Sequence, residues 1–299
     1  MTKILYPLFL CLLISLTTQA GYAKVNKKRM YQTIAVLTSD SLGGRAAGSG
    51  YDFKSARYIE KELRKTGFTP LYGENGICPF TFRKRRDTAT TCNVIMVWKN
   101  KKNPGAGYIL LGAHHDHLGI RERDSSKIIF RGANDNASGV ATLLEVAREL
   151  YKNRNKLQHH IIIAAFGAEE IGLLGSDQVV SRLTRDSIRP AFMFNFEMTG
   201  TLDKEKNVEI LGKDTFDMES VIAKVKNPKQ LNLIPQPARL HASDHLWFLK
   251  QCPVAVFATT GAKYYHVPED DISTLNFPGL AELTQYIADF AVQIAASRP

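Results

Sequence analysis

The chain has few cysteines and, beyond its first residues, no long apolar segment: 4 of its 299 residues are Cys. No later segment approaches the roughly 18 consecutive apolar residues of a membrane-spanning helix. No two cysteines form a CxxC pair, which argues against a metal site made of cysteines alone. The sequence also lacks a G-x-S-x-G elbow and a complete phosphate-binding loop, so hydrolases built on that elbow and P-loop enzymes are excluded.

Acidic residues are also outnumbered, since 29 Asp and Glu oppose 39 Lys and Arg for a formal net charge of +10. Much of the excess lies in "KVNKKR" and in "RKRR" at residues 83–86. No zinc-finger spacing, RNA-binding aromatic signature or basic helix with heptads accompanies these residues. We therefore interpret them as a basic surface and expect no nucleic-acid partner.

The first residues have the pattern of a secretory signal. Lys3 precedes the apolar run "ILYPLFLCLLISL", and the small residues Ala20, Gly21 and Ala23 follow it. This order is typical of a cleavable signal peptide. We predict a signal peptide at residues 1–23, with Ala20 as the alternative cleavage point, and a mature chain that is secreted or periplasmic. Residues 24–299, which contain no internal repeat, are predicted to form one domain and a monomer.

Cysteine pairing is left open by the sequence. Export makes a disulfide permissible, and Cys78 with Cys92 would close a short loop, stabilising the fold by on the order of 3 kcal/mol. Removal of the signal peptide leaves three cysteines, the third being Cys252. At least one thiol is then free.

Apolar segments alternate with helical patterns along the chain. The strand candidates are "NVIMVW", "YILLGAH", "HIIIAAF", "AFMFNFEM" and "PVAVFAT". The helical candidates are "YDFKSARYIEKELRKTG", "SGVATLLEVARELYKN" and "PGLAELTQYIADFAVQIAA". Most of the strands are too apolar to have a solvated face, which indicates a sheet covered on both sides. The order predicts a three-layer α/β/α domain with a mixed, largely parallel central sheet.

Polar residues follow the predicted strands at the edge where ligands gather in such sheets. His114 and Asp116 lie in the segment "YILLGAHHDHLG", and two positions apart they point to the same side of an extended chain. A carboxylate there can hold the imidazole in the tautomer that a metal requires. His115 and His117 form a competing pair on the other face, but we favour His114 because it has the adjacent carboxylate.

Four further segments supply carboxylates and a second imidazole after predicted strands or in a tight turn. The candidates are Asp135 in "GANDNASG", Glu169 and Glu170 in "FGAEEIGLLGS", Glu197 in "MFNFEMTG" and His266 in "YYHVPEDD". A carboxylate that interrupts a buried strand, as Glu197 does, needs a compensating cation. These segments therefore predict a metal centre.

The charges of this set predict two metal ions. Two divalent ions, three metal-binding carboxylates and one hydroxide sum to zero, whereas one ion leaves a buried negative charge. We expect one carboxylate to bridge the ions, and the mixed nitrogen and oxygen ligands favour Zn²⁺, with Mn²⁺ or Co²⁺ as substitutes. If Glu170 binds metal, its neighbour Glu169 stays free to act as a general base with a raised proton affinity.

The five motifs, in this order and spacing, resemble the co-catalytic zinc aminopeptidase family, which includes secreted bacterial leucyl aminopeptidases, aminopeptidase Y and glutamate carboxypeptidase II. The early "LTSDSLGGRAAGSG" also resembles a segment of that family, so the likeness spans nearly all of the predicted mature chain. The resemblance implies a zinc-peptidase fold in which Asp135 bridges two zinc ions. It implies that His114 and Glu197 complete one site and that Glu170 and His266 complete the other.

The resemblance also assigns roles outside the ligand set. It implies that Glu169 is the general base, that Asp116 supports His114, and that the peptide bond between Asp135 and Asn136 is cis. Two positions depart from the common pattern: Asn134 and Glu197 both stand where many members have aspartate. The first is not a ligand in the family, but the longer Glu197 can shift the second metal or lower its affinity.

The predicted function is that of an exported di-zinc aminopeptidase acting on peptides. The alternatives are a carboxypeptidase of the same fold that removes acidic C-terminal residues, a single-zinc enzyme similar to glutaminyl cyclase, and a binding protein without activity. The aromatic residues nearest the motifs are interpreted either as an apolar substrate pocket or as core. They are Trp247, Phe248, Tyr264 and Tyr265.

Overall fold

A computed structural model describes residues 25–84, 87–123 and 125–297 of the chain. The predicted signal peptide, residues 1–23, lies outside the described residues. The helices are α1 (Lys27–Leu37), α2 (Tyr51–Thr66), α3 (Gly139–Lys152), α4 (Leu174–Arg185), α5 (Met218–Lys224) and α6 (Phe277–Ala296). Within the described ranges, none of these helices is both long and apolar enough to cross a membrane.

Eleven strands accompany the helices in the described part of the chain. They are β1 (Thr69–Pro70), β2 (Ile77–Lys84), β3 (Asp87–Trp98), β4 (Tyr108–His114), β5 (Gly119–Arg123), β6 (Ser126–Phe130), β7 (His160–Phe166), β8 (Pro190–Phe196), β9 (Asn207–Leu211), β10 (Asn232–Gln236) and β11 (Val254–Thr259). The segments quoted as strand candidates correspond to β3, β4, β7, β8 and β11.

Nine strands form one mixed sheet, ordered β1-β3-β7-β4-β8-β11-β9-β10, with β2 also paired to β3. The four central strands β7, β4, β8 and β11 are parallel. Antiparallel pairing of β3 with β7 and of β9 with β11 extends the sheet on either side. The remaining strands, β5 and β6, form a separate hairpin. The predicted α/β fold with a mixed central sheet is confirmed.

The sheet is covered on both faces, as the apolar strands predict. In β7, Ile161 and Ile163 face a large core that includes residues of α1, α2, α3 and α6. Ile162, between them, faces a smaller core on the opposite side, where Val179 and Leu183 of α4 pack. The alternation of side chains along a strand thus supplies both cores, because successive residues point to opposite faces.

The last helix shows how local sequence sets the boundaries. The side chain of Asn276 accepts the backbone N–H of Gly279 at 3.0 Å, which satisfies a donor of the first turn of α6. Pro278 occupies that turn, where its missing N–H costs nothing. The helical pattern that begins at "PGLAEL" is therefore found in the structure with a shift of one residue.

The open question of a Cys78–Cys92 disulfide is settled against pairing, because all three cysteines of the described residues are free. In the β2–β3 ladder, Cys78 lies opposite Asn93 and Cys92 lies opposite Pro79. Residues opposite each other point to the same face and successive residues alternate, so the two thiols lie on opposite faces of the sheet. Cys92 accordingly packs in the larger core and Cys78 against the smaller one.

Candidate active site

The carboxyl ends of the central parallel strands meet at one edge of the sheet, and the predicted site residues lie there. His114 is the last residue of β4, and Glu197 directly follows β8. Glu170 follows β7 after a short turn, and His266 lies in the loop after β11. Asp135 belongs to a tight turn that leads into α3. The structure brings these five side chains into contact with one another.

The carboxylate of Asp135 lies between the two imidazoles. Its Oδ1 atom is 3.2 Å from Nε2 of His114, and its Oδ2 atom is 3.2 Å from Nε2 of His266. Each oxygen therefore faces a different histidine. This is the arrangement in which one carboxylate can serve two neighbouring cations.

Two further carboxylates complete two groups of donor atoms. In the first group, Oε1 of Glu197 lies 3.2 Å from Nε2 of His114. In the second group, Oε2 of Glu170 lies 3.0 Å from Nε2 of His266. Asp135 belongs to both groups, which are the two ligand sets that the family resemblance implies.

The donor sets fit zinc. Ligands bound at about 2.0–2.1 Å to a tetrahedral zinc ion lie about 3.3 Å from each other. The nitrogen–oxygen separations of 3.0–3.2 Å in both groups are close to that value. Imidazole nitrogen and carboxylate oxygen are also the mixed ligands that suit zinc.

The electrostatic field of the cluster favours positive charge. Burial opposes ionisation of Asp135, but hydrogen bonds with His114 and His266 outweigh it and hold the Asp135 pKa well below its ordinary value. Burial lowers the pKa of His114, but the negative charges of Glu197 and Glu169 overcome that effect and raise it well above its ordinary value. Both shifts show a site that attracts cations, whether protons or metal ions.

The adjacent glutamates Glu169 and Glu170 have different surroundings. Glu170 contacts His266, whereas Glu169 places a carboxylate oxygen within 4.8 Å of the ligand atoms of His114 and Glu197. Burial raises the pKa of Glu169 to about 10, and the charge of Glu197 adds to this effect while that of His114 opposes it. Two divalent ions nearby would lower this pKa, because positive charge favours the ionised carboxylate.

Asp116 connects His114 to Glu169. Its carboxylate oxygen Oδ1 accepts the backbone N–H of Glu169 at 3.1 Å. The same oxygen is 3.7 Å from Nδ1 of His114, and the nearer partner of that nitrogen is the backbone carbonyl of Asp116 at 3.2 Å. The carbonyl can fix the tautomer of His114, while the carboxylate fixes the loop that carries Glu169.

The turn that holds Asp135 is tied down by its neighbours. The expected cis peptide bond between Asp135 and Asn136 is present. Asn136 is fully buried: its amide donates to the carbonyl of Phe196 at 2.9 Å and accepts the N–H of Met198 at 3.1 Å. Asn136 therefore links the turn to both residues that flank Glu197.

A buried guanidinium lies beside the cluster. Arg45 is fully buried and donates to four backbone carbonyls, those of Leu37, His115, Arg131 and Gly132, at 2.6–3.0 Å. Burial lowers its pKa to about 10, while nearby carboxylates oppose the shift. Arg45 thus joins the early "LGGR" segment to the loops after β4 and before Asp135.

Four residues that the sequence interpretation did not place at the site contact its ligands or lie near them. His117 is 2.7 Å from Glu170, Ser243 donates to Glu197 at 2.6 Å, and Asp270 accepts the N–H of Asp135 at 3.0 Å. The fourth, Asp244, is fully buried, and burial raises its pKa to about 7. The "YYHVPEDD" segment contains Asp270, but its acidic residues gave no reason to prefer one over the others.

The aromatic residues near the motifs divide between core and surface. Phe248 is fully buried in the smaller core, whereas Trp247 and Tyr265 are 44% and 56% exposed. The ring of Tyr265 stacks on that of His266 with centroids 3.8 Å apart. Apolar surface therefore lies directly beside one of the two donor groups.

Comparisons with known proteins agree with this geometry. Residues 93–291 match the sequence model of Peptidase family M28. A protein described as a probable leucine aminopeptidase from Trichophyton verrucosum is 27% identical over 296 residues, which cover 92% of this chain and 72% of that protein.

Solved structures share the fold at lower sequence identity. BSAP, a zinc aminopeptidase from Bacillus subtilis, superposes with a TM-score of 0.71 and 18% identity, covering 89% of this chain and 94% of that one. A glutaminyl cyclase from Porphyromonas gingivalis has a TM-score of 0.68 and 18% identity, with coverage of 90% and 99%. The predicted zinc-peptidase type of fold is confirmed, but the fold alone does not separate these two activities.

Proposed function

The chain belongs to Peptidase family M28, and we propose that it is a zinc-dependent aminopeptidase that removes N-terminal residues from peptides. The observation that carries this proposal is the position of Asp135 between two imidazoles, each of which also contacts its own glutamate. One carboxylate shared by two complete donor groups is the arrangement that two co-catalytic ions need.

The residues that would hold the ions follow from the contacts. His114, Asp135 and Glu197 would hold one ion, and Asp135, Glu170 and His266 would hold the other. When bound, zinc polarises a carbonyl oxygen, lowers the pKa of water and stabilises the charge that develops in hydrolysis. The remaining chemistry is the work of side chains that do not bind metal.

Glu169 is the side chain best suited to move the proton. Its carboxylate lies beside the donor group of His114 and Glu197, and Asp116 fixes its backbone through the bond to its N–H. In the proposed reaction, Glu169 accepts a proton from the attacking water and passes it to the leaving amine. Burial raises the proton affinity of Glu169, which favours the first of these two transfers.

Two observations weigh against the rival activities. A carboxypeptidase selective for acidic residues needs an arginine for the substrate carboxylate, but Arg45 beside this cluster uses its guanidinium on four backbone carbonyls. A single-zinc cyclase needs one donor group, whereas Asp135 here joins two. The exposed ring of Tyr265, stacked on His266, further supports an apolar residue as the one removed.

The test is a panel of short peptides with free or blocked ends. We expect release of the first residue from peptides with a free amino group, loss of cleavage when that group is acetylated, and no effect of C-terminal amidation. An apolar first residue should react fastest. Cleavage that depends on a free acidic C-terminus would replace this proposal with the carboxypeptidase. Water loss from a glutaminyl peptide, detected by mass, would replace it with the cyclase.

We also propose that the enzyme is exported. Val25, two residues beyond the predicted cleavage point, is already buried, and its N–H donates to the side chain of Gln285 at 3.0 Å. Cleavage after Ala23 would therefore leave one residue before the packed domain. The intact mass of protein recovered from the culture medium or periplasm checks this, and retention of residues 1–23 there would contradict it.

A further inference from the structure

His117 is a fully buried histidine whose ring contacts one of the glutamates of the site. Its Nδ1 atom lies 2.7 Å from Oε1 of Glu170. The sequence interpretation places His117 on the face opposite His114, because it extends the alternation of a strand through residue 117. Strand β4 ends at His114, so this alternation does not hold for the residues that follow.

The two oxygens of Glu170 have different partners. Oε2 lies 3.0 Å from Nε2 of His266, within the second donor group, whereas Oε1 contacts His117. An ionised carboxylate has no proton to donate, so Nδ1 of His117 must carry the hydrogen in this bond. The bond occupies Oε1 and leaves Oε2 as the oxygen that faces His266.

The ring of His117 is confined by its surroundings. A side chain at Gly132 would place its first carbon 2.5 Å from two ring carbons of His117, so the ring is packed directly against that glycine. Nδ1 is 3.8 Å from the nearest oxygen of Asp135, too far for a hydrogen bond. Nε2 is buried and has no hydrogen-bond partner among the described residues. Among the described residues, the only polar contact of hydrogen-bond length made by the His117 ring is therefore the one from Nδ1 to Glu170.

We propose that His117 is a positioning residue that orients Glu170, so that Oε2 is the oxygen presented to the zinc ion. This inference rests on the proposed zinc function of the site. By holding Oε1, the Nδ1–H group would fix the rotation of the Glu170 carboxylate, and its loss would leave that carboxylate free to turn away from His266 and Asp135. Carboxylates that bind a metal are commonly held by such hydrogen bonds, and loss of the bond lowers metal affinity.

The experiment compares three substitutions at position 117. His117→Asn keeps an N–H donor near the position of Nδ1, His117→Gln places the donor farther along the side chain, and His117→Ala has none. Zinc content and affinity are measured by competition with a chelator in the absence of substrate, and the unfolding temperature is measured on metal-free protein. The control is His115→Gln, because His115 contacts Ser55 and the carbonyl of Cys92 instead of a ligand.

We expect His117→Ala and His117→Gln to lower the affinity for one of the two zinc ions by about 10–100-fold. This is the usual effect of losing a residue that orients a metal ligand. His117→Asn should recover most of that affinity, and His115→Gln should leave it unchanged. Equal loss in the asparagine and alanine variants would make His117 a ligand rather than a positioning residue. Unchanged zinc affinity with a lower unfolding temperature in all three variants would reduce it to a packing role.

Different results would overturn the proposed function and the proposed role of His117. Wild-type protein that binds two zinc ions but cleaves no peptide would overturn the aminopeptidase assignment while leaving the zinc affinities of the variants interpretable. If the wild-type protein has high peptidase activity and His117→Ala binds zinc as tightly as wild type, the role of His117 is overturned and the aminopeptidase assignment stands.

Discussion

The carboxylate of Asp270 accepts the backbone N–H of Asp135 at 3.0 Å. Its other oxygen accepts the N–H of Asn134 at 2.8 Å, and its own carbonyl accepts the N–H of Ala133. Asp270 lies four residues after His266. One side chain thus joins the turn that carries Asp135 to the loop that carries His266, the two residues that face each other in the second donor group.

Replacing Asp270 with asparagine should loosen that connection. The amide keeps one acceptor oxygen but turns its NH₂ group toward one of the two backbone N–H groups. One of the two hydrogen bonds is then lost, and the facing N–H groups repel each other. We expect Asp270→Asn to lower zinc affinity by about 10–100-fold, as for other residues that support metal ligands. Chelator competition measures this. Asp271→Asn is the matched control, because Asp271 contacts Arg131 and Ser273; an equal effect there would remove the special role of Asp270.

Substitutions of the adjacent glutamates should both reduce activity but should differ in zinc content. Glu169→Gln removes the proton acceptor but no donor of the two groups, so we expect wild-type zinc content with activity reduced by about 100-fold or more, the lower range for acid–base catalysis. Glu170→Gln weakens the contact with His266, so we expect one of the two zinc ions to be lost along with activity. Metal analysis with steady-state kinetics on the same preparations checks both. Full activity of Glu169→Gln would exclude this residue as the base.

The positions of the central strands and of most site residues follow from the sequence because the same rule governs both. Parallel strands buried on both faces are apolar along their length, and polar residues directly after them must lie at the common edge of the sheet. His114 and Glu197 were found in this way. Both residues lie at or directly after a strand end, so their proximity does not depend on how the loops fold.

The supporting residues do not follow from such a rule. Asp270 and Ser243 act through loops whose conformations depend on tertiary contacts, and His117 lies beyond the end of β4, where the strand alternation stops. The carboxylate of Asp116 lies 3.7 Å from Nδ1 of His114, but its bond to the backbone of Glu169 is not predicted by the alternation. Sequence periodicity predicts which residues leave a strand together and fails where the backbone leaves the strand.

Substitution of individual ligands should reveal the shared carboxylate in the metal content. Asp135 belongs to both donor groups, so Asp135→Ala should lose both zinc ions. His266→Ala and Glu197→Ala each remove a ligand from one group and should retain about one ion, because the other group keeps all three side chains. Zinc content after desalting, with circular dichroism to establish folding, measures the pattern. Retention of two ions by folded Asp135→Ala would contradict a bridging role.

A buried ion pair between α1 and α3 predicts how stability depends on pH. Glu145 of α3 is 1% exposed, and Arg29 of α1 contacts both of its oxygens at 2.8 Å, while the N–H of Asn26 adds a third bond. Burial raises the pKa of Glu145, but the bonds from Arg29 and Asn26 outweigh it and hold the pKa below its ordinary value.

A depressed folded-state pKa means that Glu145 stabilises the fold at any pH above about 4.3, its unfolded value, and that this stabilisation is lost as the pH falls through the lower folded value. We expect Glu145→Gln to lower the free energy of unfolding by about 1–2 kcal/mol at pH 7, because Arg29 is partly exposed, and the difference from wild type to shrink below pH 4. Urea unfolding from pH 7 to pH 3 measures it. Glu60→Gln, which removes only an exposed pair with Arg64, is the control. A difference that stays constant across this range would show that packing, and not the charge of Glu145, connects α1 to α3.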